Sequence, residues 1–180
     1  TWGEICKTIG DIKEYNIKII DSNGISLKDM DIISFNIPHD AVSPSGYAVH
    51  TGGKKACIAT DLGNFTPEVK KNITDADIIL LESNHDVEML KFGPYPYVLK
   101  RRILSDIGHL SNEACGKAIA EITGDKQKRV ILGHLSQTNN YPELAYQTVL
   151  NILNENKIDL TKDILLTMAD RNKPSSYIEL

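Results

Sequence analysis

The sequence predicts an α+β fold in which sheet layers are covered by helices. Three observations carry this. Short apolar runs recur along the whole chain, each bounded by turn formers. A glycine pair, Gly52-Gly53, joins two of them into a hairpin in the first half. In the second half the apolar runs alternate with segments of helical periodicity.

The elements follow in order. Residues 2–9 read as a short helix stopped by Gly10. Ile17-Lys18-Ile19-Ile20 reads as a strand, and residues 31–38 (DIISFNIP) as a second one, ended by its proline. Residues 45–51 and 55–60 form the hairpin. Residues 66–72 read as a helix with Pro67 in its first turn. Residues 76–81 (ADIILL) read as a buried strand. Residues 86–104 read as two helical pieces broken by Gly93-Pro94 and Pro96. A helix over 112–123 has Ser111 as its N-cap, Gly124 as its stop, and one face of Ala114, Cys115, Ala118, Ile119 and Ile122. Residues 129–133 (RVILG) give another buried strand. A helix over 142–154 carries Leu144, Ala145, Val149, Ile152 and Leu153 on one stripe, and residues 163–168 (DILLTM) close with a last strand.

A chain of 180 residues with 41% hydrophobic and 24% charged residues has the size and make-up of one globular domain. The longest purely aliphatic run, residues 78–81, is far too short to span a membrane, and no signal peptide is legible. Cys6, Cys57 and Cys115 form no C-x-x-C pair and read as reduced cytoplasmic thiols. A net charge of -4 excludes wholesale electrostatic binding of nucleic acid. Lys100-Arg101-Arg102 is the single basic cluster, a helix face that an anionic substrate could also use. The chain begins without methionine and reads as a piece of a longer protein.

The chemistry gathers behind the strands. His39-Asp40 follows the first half's long strand, Asp61 follows the hairpin, Glu82 (with His85 three residues on) follows ADIILL, and His134 follows RVILG. Strand ends sharing one sheet edge would bring these groups together on a rigid scaffold. Imidazole and carboxylate without paired thiolates favour a catalytic metal over a structural one. Taken singly, each residue is equally a loop, cap or turn former.

His39-Asp40-Ala41 with Ser45-Gly46-Tyr47 and Thr60-Asp61, and Leu132-Gly133-His134-Leu135-Ser136, resemble the third, fourth and fifth motifs of the metallo-β-lactamase fold. The stretches at 81–86, 93–97, 102–106 and 108–112 are similar to its YycJ/WalJ exonuclease subfamily, and the match runs from about Asp31 onward. The resemblance implies an N-terminally truncated four-layer αββα sandwich, with residues 1–180 making up the C-terminal two-thirds of a single domain. It implies two divalent ions, zinc or manganese, with His39, Asp61 and His134 as ligands. It implies Glu82 and His109 as a carboxylate–histidine pair that protonates a leaving group, with Asp61 also serving catalysis. Ser111 and Asn112, at a helix start, would hold a substrate phosphate.

The activity so implied is metal-dependent hydrolysis of phosphodiester bonds in DNA or RNA by a 5′ exonuclease-like route, with metal-bound hydroxide as nucleophile. A small thioester or lactone hydrolase, or an inactive truncated interaction module, stands beside it. The family's H-x-H-x-D-H signature is absent from these residues and would lie upstream of Thr1. The expectation is that this chain alone binds metal weakly and is inactive, and that edges exposed by truncation allow self-association.

Overall fold

The computed structural model describes residues 2–20, 23–175 and 177–179, apart from the side chains of Trp2 and Glu4. Among them seven strands form one mixed sheet in sequence order. The strands are β1 (Ile25–Leu27), β2 (Met30–Asn36), β3 (Ser45–Thr51), β4 (Lys54–Ala59), β5 (Ile78–Glu82), β6 (Lys128–Gly133) and β7 (Ile164–Met168). β1 to β4 pair antiparallel, and β4 to β7 pair parallel. The helices are α1 (Trp2–Ile9), α2 (Pro67–Ile73), α3 (Val87–Phe92), α4 (Tyr97–Ile103), α5 (Asn112–Ile122) and α6 (Pro142–Glu155).

The α+β architecture is therefore present. The two halves differ for a local reason. Gly52 and Gly53 both adopt positive φ, which lets β3 return at once as β4. Later strands are linked through helices, and such crossovers give parallel neighbours. Thr66 and Asp86 cap α2 and α3 by accepting from Val69 N–H and Met89 N–H, and Ser111 caps α5 by accepting from Ala114 N–H.

One row across the sheet, Ala48, Cys57, Ile79, Val130 and Leu166, is buried in the core shared with α2, α5 and α6. The next register position faces the other way. That row, Tyr47, Ile58, Leu80 and Ile131, is apolar but only half-buried or exposed, with Ile58 46% exposed. The described strands thus make one β layer, covered by helices on one face and offering an apolar surface on the other.

Two differences from the sequence reading stand out. Residues 17–20 are not a strand: the chain makes a 3₁₀ turn at Glu14–Asn16 and runs on unpaired, leaving Ile19 84% exposed. The short edge strand β1 was not expected. It pairs with β2 across a turn in which Lys28 takes φ 58°.

The topology positions the site. β2 and β4 each pair antiparallel with β3, so they run in the same direction, and β5, β6 and β7 continue it. The carboxyl ends of five strands therefore share one edge, the place where open sheets bind ligands.

Candidate metal centre

His39 follows β2, Asp61 follows β4, Glu82 ends β5, and His134 follows β6, all at that edge. His109 arrives from the turn between α4 and α5. Loops hold this arrangement together by backbone hydrogen bonds. Gly63 N–H donates to Pro38 O at 2.9 Å, Asp40 N–H to Ile107 O at 3.1 Å, and Ser83 N–H to Gly133 O at 3.0 Å. Gly63 lies against the backbone of Asp106 and Gly108, and Gly108 against the carbonyls of Arg102 and Ile103. A Cβ at either position has no room, so the Asp61 loop reaches the His109 loop because both residues are glycine.

Asp61, Glu82, His109 and His134 place ligand-capable atoms within 4.8 Å of one another. Asp61 Oδ1 lies 3.5 Å from His134 Nε2, 3.7 Å from His109 Nδ1 and 3.8 Å from His39 Nε2. The rings of His39, His109 and His134 follow one another with centroids 5.1 and 5.4 Å apart. Asp61 and His134 both take left-handed backbone, at φ 58° and 57°. Neither is glycine, so the surrounding structure holds local strain at both positions.

Glu82 is the organiser. Its side chain is fully buried. Oε1 accepts from His134 Nδ1 at 2.6 Å and His109 Nδ1 at 2.8 Å, while Oε2 accepts from Leu62 N–H at 2.8 Å and Leu110 N–H at 3.2 Å. His39 is tied back in the same manner, Nδ1 to the Gly108 carbonyl at 3.0 Å. Each of the three imidazoles thus spends Nδ1 on a hydrogen bond within the protein, while the Nε2 atoms of His39 and His134 lie beside the Asp61 carboxylate. Metal-ligating histidines are oriented in this way. This donor set could hold a divalent ion through imidazole nitrogens and the Asp61 carboxylate, with Glu82 orienting His109 and His134.

Burial alone would raise the Glu82 pKa, but hydrogen bonds from His109, His134 and Leu62 N–H hold it at about 2. A carboxyl depressed from 4.5 contributes stability that is complete above about pH 4.5 and lost as pH falls toward 2. Denaturant unfolding followed across pH 6 to 2 is expected to show that loss, and Glu82→Gln is expected to flatten it. The hydrogen bond to Glu82 raises the His134 pKa above its ordinary value.

Around the cluster, Asp40 takes a paired ion contact from Arg102 Nε and Nη2, which holds its carboxyl at about 2. Arg102 is thus committed to the His39 loop, while Arg101 lies over the Tyr97 ring. The Ser111 hydroxyl caps α5, and the buried Asn112 donates N–H to His85 O and bonds Ser83 and Asn140 with its side chain. His85 is 1% exposed, with no protein partner on either ring nitrogen, and burial lowers its pKa to about 4. His50 sits on β3 opposite Lys55, away from the edge. Cys57 and Cys115 are buried free thiols, and burial pushes both pKa values up.

The sequence reading missed the Asp40–Arg102 pair, the Gly108 carbonyl behind His39 and the second histidine on Glu82. No helix among the described residues is long and apolar enough to cross a membrane.

Residues 2–135 match the model of the beta-lactamase superfamily domain. Exodeoxyribonuclease YycJ of Bacillus anthracis is 40% identical over 156 residues, 86% of this chain and 59% of that protein. Exodeoxyribonuclease WalJ of Streptococcus pneumoniae is 45% identical over 125 residues, 69% of this chain and 46% of that protein. The chain therefore spans about half the length of the curated relatives it matches. The metallo-beta-lactamase fold protein YhfI from Bacillus subtilis superposes with a TM-score of 0.54 at 13% identity, over 81% of this chain and 48% of that structure.

Proposed function

Because this chain belongs to the beta-lactamase superfamily, as a YycJ/WalJ-like metallo-beta-lactamase fold protein, we propose that it forms part of a metal-dependent nuclease that hydrolyses phosphodiester bonds of DNA from a 5′ end. One observation carries the reading. Three imidazoles and a carboxylate meet at the sheet edge, each imidazole with its Nδ1 anchored, and His39 and His134 with Nε2 beside Asp61.

In this reading His39, Asp61 and His134 hold divalent ions, zinc or manganese. Bound there, such ions supply Lewis acidity toward water and phosphoryl oxygens. Asp61 lies within 3.8 Å of all three histidines, so its carboxylate would serve as a ligand together with them. His109 donates a proton to the leaving oxygen. Its Nδ1–H is fixed on the ionised Glu82, which fixes the ring's direction. The start of α5 at Ser111 and Asn112 holds a substrate phosphate through backbone N–H groups of its first turn, the two side chains being committed within the protein.

The test is cleavage of a 5′-phosphorylated oligonucleotide by the full-length protein. His109→Ala is expected to slow turnover about 10²–10⁴-fold, the range for loss of a positioned general acid. An unchanged rate removes His109 from the mechanism.

A further inference from the structure

A cavity of about 770 Å³ opens beside His134. It lies between the loop that joins β6 to α6 and the segment that follows β7. Its volume is in the range that seats small organic ligands. Of the residues proposed above as ligands, His134 is the one in its wall, so the cavity adjoins the centre without belonging to it.

The chemistry of the walls is specific. Tyr141 lines the cavity and is 49% exposed as a residue, yet its backbone is fixed. Its N–H donates to Asn140 Oδ1 at 3.0 Å, and the buried Asn140 is itself anchored on the Ser83 and Asn84 carbonyls at 3.0 Å each. A half-exposed aromatic ring on a rigid support is a platform for a planar group. The segment after β7 contributes Arg171, Asn172 and Lys173 to the wall, all exposed, and the β6–α6 loop contributes Gln137 with Tyr141. The Arg171 guanidinium docks one Nη2–H on the Leu135 carbonyl, which holds it at the mouth with further N–H groups to offer. Asp170, 3.8 Å from Lys173, is the wall's one acidic residue.

A cavity lined by an aromatic ring, two cations and two amides suits a nucleotide: base on the ring, amides to base edge or sugar, phosphate to the cations. We propose that this cavity seats one nucleotide of the strand next to the bond acted on, with the base stacked on Tyr141 and the phosphate against Arg171 and Lys173. The proposal deepens the nuclease reading and rests on it for the identity of the strand.

Calorimetric titration of adenosine 5′-monophosphate, adenosine and inorganic phosphate into the full-length protein tests it. The monophosphate is expected to bind more tightly than either fragment. Tyr141→Ala is expected to weaken the monophosphate about ten-fold, with Tyr141→Phe restoring it. Arg171→Gln is expected to weaken the monophosphate but not adenosine, and it keeps the test available if Tyr141→Ala fails to fold. Phosphate binding as tightly as the monophosphate, or a monophosphate affinity indifferent to both Tyr141→Ala and Arg171→Gln, overturns the proposal. Cleavage of DNA with such indifferent affinity leaves the nuclease reading standing and removes the subsite. Tyr141-dependent binding without any cleavage keeps the pocket and removes the nuclease reading.

Discussion

Replacing Glu82 with alanine is expected to cost about 3–5 kcal/mol of folding stability, the scale for removing one partner from a buried charged network. Four donors converge on this carboxylate: two imidazole Nδ1–H groups and the N–H groups of Leu62 and Leu110. Alanine leaves all four facing a void in a fully buried position, and each buried donor left unmatched carries its own desolvation penalty. Glutamine restores one acceptor oxygen but turns an NH₂ toward groups that are themselves donors, so it is expected to fall between. Urea unfolding of the three proteins measures this. A Glu82→Ala change below about 1 kcal/mol would mean that the network forms without contributing to the fold.

The second large effect concerns the ions. In the full-length protein, Asp61→Ala and His134→Ala are each expected to lower zinc or manganese affinity by more than about 100-fold, since loss of an orienting partner alone costs 10–100-fold. His134 adds a pH signature. Its pKa is raised, so the proton that would occupy Nε2 competes with a metal ion at low and neutral pH. The same proton stabilises the metal-free fold below the ordinary imidazole value of 6.5, and that contribution fades as pH rises through the folded value. Metal affinity is therefore expected to climb with pH across neutrality and then level off, and isothermal titration at several pH values reads it directly. An affinity unaltered in His134→Ala would remove this side chain from the ligand set.

Most of the architecture was legible because each buried strand is a short apolar run with a turn former at its end. Pro67, Ser111 and Gly52-Gly53 mark element ends by steric and hydrogen-bonding rules that need no tertiary context. Residues 17–20 show the limit: apolar side chains suggest a strand, but pairing needs a neighbour, and the described structure gives this run none. β1 shows the reverse, since three residues carry no periodicity and become a strand only because β2 lies beside them.

In the site, the positions of Asp61, Glu82 and His134 followed from what succeeds each strand. Their connections did not. That one carboxylate serves two imidazoles, or that the Gly108 carbonyl backs His39, depends on two loops touching through Gly63 and Gly108. No local pattern in the chain records such a contact.

The order of the sheet has a temporal consequence. Spatial neighbours are sequence neighbours from β1 through β7, so a ribosome releasing the chain delivers every strand next to one already in place. The edge groups emerge in the order His39, Asp61, Glu82, His109, His134. At roughly 5–20 residues per second, Glu82 leaves the exit tunnel seconds before either imidazole that donates to it. During that interval Leu62 is the one of its four donor residues already made, and the set is complete only when His134 arrives.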